Sequence, residues 1–257
     1  MKTGSIAGII LAAIVGIASP FAGAAQRQPP AVRVLASNGV KAVIESILPQ
    51  AERTIGHPLA VQFDTSAALK DKIEAGDAFD VVILTSEVVD DLVKAGKVTG
   101  DSRAEICRAG IGIGIRAGAP KPAITTLEAL KRTLLDAKSI TYAGDGASRP
   151  YVEKMFERLG ISEEVESKII LLQGSARTTA SVANGQAQFV ITLSSEILPV
   201  SGIELLGPLP SEFQHYVGFA AGVGAQSKDV EAAGKLIGFL ASPAVAPVFK
   251  TKGMETP

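Results

Sequence analysis

Short apolar segments alternate with amphipathic segments along almost the whole chain, and this alternation restricts the fold more than any other feature. Residues 32–35 are typical of a short apolar strand, and apolar residues then follow helical spacing over residues 40–48. Pro49 predicts an end or a kink in that helix. Further strands are predicted at residues 59–63, 80–84, 111–115, 139–143, 168–172, 189–192, 203–206 and 215–221. Strands that alternate with helices predict an α/β fold with parallel sheets and helices on both faces.

Two segments rich in Pro and Gly, at residues 118–122 and 207–210, divide this alternation into three blocks. We expect the first and last blocks, residues 25–116 and 211–257, to form one lobe. Residues 117–210 then form a second lobe. This arrangement predicts a ligand cleft between two α/β lobes, and a single continuous doubly wound sheet is the alternative.

The first residues have the pattern of a secretory signal peptide. Lys2 precedes an apolar run over residues 6–18, and Ala22-Gly23-Ala24 supplies the small residues that a signal peptidase reads. We therefore predict a signal peptide over residues 1–24 and a mature protein that is soluble in the periplasm. A short membrane anchor is the alternative, but the run is too short to span a bilayer comfortably.

The composition excludes several classes of protein. The formal net charge is −1, and no cluster of Lys and Arg marks a surface for nucleic acid or anionic lipid. Cys107 is the only cysteine, and His57 and His215 lie far apart, so neither an internal disulfide nor a zinc site is expected. The sequence has no nucleophile elbow and no motif for binding nucleotide phosphates. We therefore predict that the protein is not an enzyme and holds no metal or cofactor; a hydrolase with His215 as its base is the alternative.

Polar residues stand at the ends of most predicted strands, where helices begin. Ligands of α/β sheets bind beyond the carboxyl ends of the strands, and helix N-termini present free N–H groups there. Donors at these junctions therefore predict an anion-binding site, although helix capping alone also explains Ser, Thr and Asn. The candidate ligand-binding residues are Ser37, Asn38, Thr65, Ser66, Ser148, Arg149, Ser175, Arg177 and Thr192.

Several segments resemble the periplasmic molybdate-binding proteins, which are solute-binding proteins of ABC transporters. The similarity is most specific over Phe63-Asp64-Thr65-Ser66-Ala67-Ala68-Leu69, Ile73-Glu74-Ala75-Gly76 and Phe79-Asp80-Val81-Val82-Ile83, and residues 34–38 and 239–243 are also similar. The resemblance implies a type II periplasmic binding protein, with two α/β lobes joined by a hinge. It also implies a monomer that delivers molybdate, tungstate or a related oxyanion to an ABC permease in the inner membrane.

The resemblance carries the family's ligand residues onto the predicted strand ends. The family's first ligand serine falls at Asn38, beside Ser37, and its second falls at Ser66, which is a serine here too. The backbone donors of the second lobe fall near Ser148 and Ser175. These positions imply a cleft whose donors come from both lobes.

Three residues depart from the family's pattern. The family's ligand Tyr falls at Thr192, and Arg149 and Arg177 stand where the molybdate site uses neutral donors. A guanidinium fork suits a carboxylate. The alternative function is therefore a binding protein or sensory receptor for a small organic carboxylate on the same scaffold.

Overall fold

In the computed structural model, the described part of the protein comprises Met1 and residues 29–257. The predicted signal peptide, residues 1–24, lies outside the described residues apart from Met1. Among the described residues, no helix is long and apolar enough to cross a membrane.

The strands of the described chain form one mixed sheet. They are β1 (Val32–Ser37), β2 (Leu59–Asp64), β3 (Val81–Thr85), β4 (Ala104–Arg116), β5 (Ile140–Ala143), β6 (Ile169–Leu172), β7 (Phe189–Leu193), β8 (Ile203–Pro208), β9 (Tyr216–Val223) and β10 (Met254–Glu255). Their order across the sheet is β2-β1-β3-β9-β4-β7-β5-β6, and β8 and β10 pair with β4 off this path. The fold is thus of the predicted α/β class.

Helices connect most of the strands and cover the sheet. They are α1 (Lys41–Ile55), α2 (Ser66–Glu74), α3 (Ser86–Lys94), α4 (Leu127–Leu135), α5 (Arg149–Leu159), α6 (Ser162–Glu166), α7 (Ser175–Ala183), α8 (Ser194–Ile197), α9 (Val230–Leu240) and α10 (Ala246–Thr251). Helix α1 does not end at Pro49, because its buried face continues beyond that residue through Ala51 and Ile55. Burial of this face outweighs the hydrogen bond that proline removes.

The long strand β4 belongs to both halves of the sheet. In the first half β1 pairs in parallel with β2 and β3, and in the second half β5 pairs in parallel with β6 and β7. The central pairs β3/β9, β9/β4 and β4/β7 are antiparallel. The expectation of purely parallel sheets is therefore wrong at the centre, where β9 runs opposite to β3 and β4. The lobe limits predicted at residues 116 and 210 stay a prediction.

An ion pair fixes the amino ends of β1 and β3. The guanidinium of Arg33 donates two hydrogen bonds to the buried Asp80 carboxylate, at 2.9 and 3.0 Å, and its backbone N–H donates a third at 2.9 Å. The Ser227 hydroxyl donates a fourth at 3.0 Å. The hydrogen bond from Arg33 is the main reason why the pKa of Asp80 lies below its ordinary value. This ion pair lies at the end of the strands opposite to their carboxyl ends, where the candidate residues lie.

The carboxyl ends of the strands in the two halves meet at a cleft. Gly39, just after β1, lies so close to Phe219 of β9 and Leu193 of β7 that a side chain at this position would strike both. Thr65, just after β2, is hydrogen-bonded to Asp145, just after β5. The junctions on which the candidate residues lie therefore face one another.

Candidate functional site

Two helices begin at the cleft, one in each half of the sheet. Thr65 caps α2, and its hydroxyl oxygen accepts a hydrogen bond from the Ala68 N–H at 3.2 Å. Gly174 precedes α7 with φ of 79°, a conformation that favours glycine. Both helix N-termini present unpaired N–H groups and partial positive charge, which attract an anion.

Asp145 joins these two helix starts across the cleft. Its Oδ1 accepts a hydrogen bond from the Gly174 N–H at 2.8 Å, and its Oδ2 accepts one from the Thr65 hydroxyl at 3.2 Å. Thr65 and Asp145 are 80 residues apart in the sequence and follow strands in different halves of the sheet. This carboxylate therefore links the two halves directly.

Glu196 is a second carboxyl group in the cleft. It is half-buried in α8, and Thr192 donates a hydrogen bond to its Oε2. Burial raises the pKa of Glu196, and the negative charge of Asp145 acts in the same direction, while hydrogen bonds with Thr192 and Ser175 oppose the shift. Glu196 therefore keeps its proton to a higher pH than an ordinary glutamate and can donate a hydrogen bond in that form.

A pocket of about 310 Å³ opens between the two halves beside these groups. Its walls come from the turn after β1 and from α1, α7, α8 and the segment that follows α8. The lining residues are Asn38, Lys41, Ala42, Glu45, Ser175, Ala176, Thr179, Ala180, Ser195, Glu196, Pro199 and Val200. Charged groups of both signs and apolar side chains thus line the same pocket.

The hydroxyl of Ser195 has no hydrogen-bond partner among the described residues, although Ser195 is only 3% exposed. A buried polar group without a partner costs free energy, so native proteins seldom keep one without a reason. Because Ser195 lines the pocket, a bound solute can supply the missing partner.

Four of the predicted residues lie at the pocket or bond to the cleft carboxyl groups. Asn38 and Ser175 line the pocket. Thr65 bonds to the carboxylate of Asp145, and Thr192 bonds to Glu196. The structure brings these four together, and their contact with a ligand stays a prediction.

Three further predicted residues are buried at the strand ends. The Ser37 hydroxyl accepts a hydrogen bond from the Gly39 N–H at 3.3 Å, and the Ser66 hydroxyl accepts one from the Thr85 N–H at 3.0 Å. Ser148, just before α5, is 2% exposed. Ser37 therefore stabilises the turn after β1, and Ser66 connects the start of α2 to the end of β3.

The two predicted arginines are not assembled into a fork at the pocket. Arg149 donates hydrogen bonds to the Glu153 carboxylate and the Gly144 carbonyl oxygen, both at 2.8 Å. Arg177 is exposed on α7. Neither arginine is among the residues that line the pocket.

Reasoning from the sequence missed Asp145, Glu196 and Lys41. Each lies within a few residues of a strand end that supplied a candidate, so position alone could have included them. The candidates were chosen as hydrogen-bond donors, and the carboxyl groups of Asp145 and Glu196 are not donors when ionised. Only their contacts in the folded protein reveal a role.

Neither His215, the alternative catalytic base, nor Cys107 is among the residues that line the pocket. His215 stacks on Tyr151 with ring centroids 3.5 Å apart, and burial lowers the pKa of His215. Cys107 is buried, which raises the pKa of its thiol well above the ordinary value. No group of three or more His, Cys, Asp or Glu residues is placed to hold a metal ion in the described part of the chain.

Solved structures share the fold over most of the chain. The periplasmic molybdate-binding protein of Azotobacter vinelandii superimposes with a TM-score of 0.74 and 15% identity, over 88% of this chain and 99% of that one. The substrate-binding domain of a putative molybdenum ABC transporter from Clostridium difficile gives a TM-score of 0.69 and 16% identity, over 89% of this chain and all of that one. The predicted type II periplasmic binding protein fold is thereby confirmed.

Sequence comparison identifies the family. An aconitate isomerase from Pseudomonas sp. is 30% identical over 228 residues, which are 86% of each chain. Residues 32–255 match the family described as bacterial extracellular solute-binding protein. The protein therefore belongs to the bacterial extracellular solute-binding protein family.

Proposed function

We propose that this protein is the periplasmic solute-binding component of an ABC importer and that it binds a small organic acid in the pocket between its two halves. In this role the protein works as a monomer, holds no resident metal or cofactor, and delivers its ligand to a permease. The observation that carries the proposal is the buried Ser195 hydroxyl, which has no hydrogen-bond partner in the part of the chain that the structure describes and lies in a pocket lined from both halves.

The size of the pocket supports an organic acid. The pocket of about 310 Å³ lies at the lower end of the roughly 300–1,000 Å³ that is typical of small-molecule sites. Molybdate and tungstate, which the sequence resemblance implies, consist of one metal atom and four oxygens and are smaller than an acid with several carboxylates. They are the competing ligands in this proposal.

The polar groups of the pocket also support a carboxylate ligand. Lys41 supplies a positive charge, since its contact with Glu45 is a loose 3.8 Å. Asn38, Ser175 and Ser195 can donate hydrogen bonds. Glu196 can donate one more in its protonated form. A ligand with several carboxylates satisfies donors on opposite walls at once and favours closure of the cleft.

Thermal unfolding in the presence of small anions tests the ligand class. We expect cis-aconitate, trans-aconitate or citrate to raise the Tm, because a ligand at 100 times its Kd adds about 2.7 kcal/mol to the free energy of unfolding. Molybdate, tungstate and sulfate serve as the competing panel. Stabilisation by molybdate or tungstate with none by the organic acids would assign the pocket to an oxyanion instead.

Two matched pairs of variants tie binding to the pocket. Lys41→Ala and Ser195→Ala should each weaken binding of the organic acid. For Lys41→Ala the loss of affinity should be about 10-fold or more, because a hydrogen bond to a charged ligand contributes about 1.5–3 kcal/mol. Lys154→Ala and Ser46→Ala, both exposed, make the same changes outside the pocket and should leave affinity unchanged in calorimetry.

A second candidate function is isomerisation of an unsaturated polycarboxylic acid. The 30% identical relative is named aconitate isomerase, and Glu196 is a carboxyl group of raised pKa beside the pocket. A base of raised pKa removes a proton from carbon more readily at neutral pH, and proton transfer can move a double bond.

Proton NMR separates this candidate from binding alone. If the protein is an isomerase, cis-aconitate should convert to the trans isomer, and Glu196→Gln should abolish turnover while retaining binding. Stable cis-aconitate spectra at a protein concentration that gives full binding would leave solute binding as the function.

A further inference from the structure

Asp145 is held in the cleft as a bound anion would be. One carboxylate oxygen accepts a hydrogen bond from the Gly174 N–H at the start of α7, at 2.8 Å. The other accepts one from the hydroxyl of Thr65, which caps α2, at 3.2 Å. Both helix starts thus direct donors to one protein carboxylate.

The partners of Asp145 are neutral donors, one from the backbone and one from a hydroxyl. Neutral donors at helix N-termini are suited to oxyanions. With Asp145 present, those donors are occupied, and a second anion would also face the charge of Asp145 at close range. The charge of Asp145 also reaches Glu196, where it contributes to the raised pKa.

We infer that Asp145 is a specificity-determining residue, which fills the anion position between Thr65 and Gly174 and so excludes tetrahedral dianions. The inference rests on the proposed function, since it explains why an organic acid would be directed to the adjacent pocket. The carboxylate of Asp145 thus takes the place of an anion that the N-termini of α2 and α7 could otherwise bind.

Removal of the carboxylate should create oxyanion binding. Asp145→Ala frees the Thr65 hydroxyl and the Gly174 N–H, so we expect calorimetry to show molybdate, tungstate or sulfate binding at least 10-fold tighter than in the unchanged protein. Asp145→Asn keeps the size of the side chain and removes its charge, so it should give a smaller gain. Asp101→Ala removes an equal charge from an exposed position and should give none.

A second substitution tests whether the gained site is the predicted one. Thr65→Val removes a donor, so the double variant Asp145→Ala/Thr65→Val should lose most of the oxyanion binding that Asp145→Ala gains. A gain that persists in the double variant would place the anion elsewhere and overturn the inference.

Three results would contradict the role of Asp145. They are molybdate binding by the unchanged protein as tight as by Asp145→Ala, no gain in either folded Asp145 variant, and an equal gain in Asp101→Ala. Circular dichroism establishes folding, and Asp145→Asn decides alone if Asp145→Ala does not fold. Organic-acid binding and its loss in Lys41→Ala are measured separately, so failure of the proposed function is distinguishable from failure of this inference.

Discussion

At the scale of single residues, Glu196 couples the site to pH. Burial raises its pKa above the ordinary value of 4.5, so the folded protein holds a proton that the unfolded chain has already released. Stability falls with pH wherever the folded state binds more protons. We therefore expect the free energy of unfolding to decrease as pH rises from 4.5 through the raised pKa, and Glu196→Gln to lack this decrease in urea titrations.

An exposed glutamate provides the control for this prediction. Glu164 lies on the surface of α6, so Glu164→Gln should keep the pH dependence of the unchanged protein. If protonated Glu196 donates to a bound carboxylate, affinity for the organic acid should fall over the same pH interval, and in Glu196→Gln it should not. Identical pH profiles in the unchanged protein and Glu196→Gln would contradict both expectations.

At the scale of secondary structure, the turn between β1 and α1 depends on the absence of a side chain at Gly39. A Cβ there would strike the ring of the fully buried Phe219 and lie 3.2 Å from Leu193. Overpacking of a filled core costs about 1–3 kcal/mol, so Gly39→Ala should lower the free energy of unfolding by about that amount. It should also weaken ligand binding, since Asn38 shares the turn.

Urea unfolding with two further variants checks this explanation. Phe219→Leu should recover part of the loss when combined with Gly39→Ala, because the smaller side chain leaves room for the methyl group. Gly238 in α9 has open space around its Cβ position, and alanine there should stabilise by about 0.5–1 kcal/mol. Equal effects of alanine at positions 39 and 238 would refute a steric origin.

At the scale of the whole molecule, the predicted signal peptide determines where the mature chain should begin. The apolar run over residues 6–18 and the Ala22-Gly23-Ala24 site predict removal of residues 1–24. Mass spectrometry of the protein isolated from the periplasm should therefore show a chain that begins at Ala25 or within a residue or two of it. An intact Met1 on a membrane-bound species would contradict the prediction and support the anchor.

The sequence by itself determined the local elements, because their signals are local. Apolar periodicity marked strands and helices, and Gly160 has the left-handed conformation that is common at a helix end. Polar residues just after strands identified the edge of the sheet that forms the cleft. Asn38 and Ser175 were found in this way, and both line the pocket.

Only the tertiary structure decided how these elements combine. Strand β9 lies antiparallel between β3 and β4, and no local pattern indicates where a returning strand will pair. The bond between Thr65 and Asp145 joins residues 80 positions apart, and the raised pKa of Glu196 arises from burial. Both depend on groups that distant parts of the chain bring together, so only the folded structure shows what the carboxyl groups of the cleft contact.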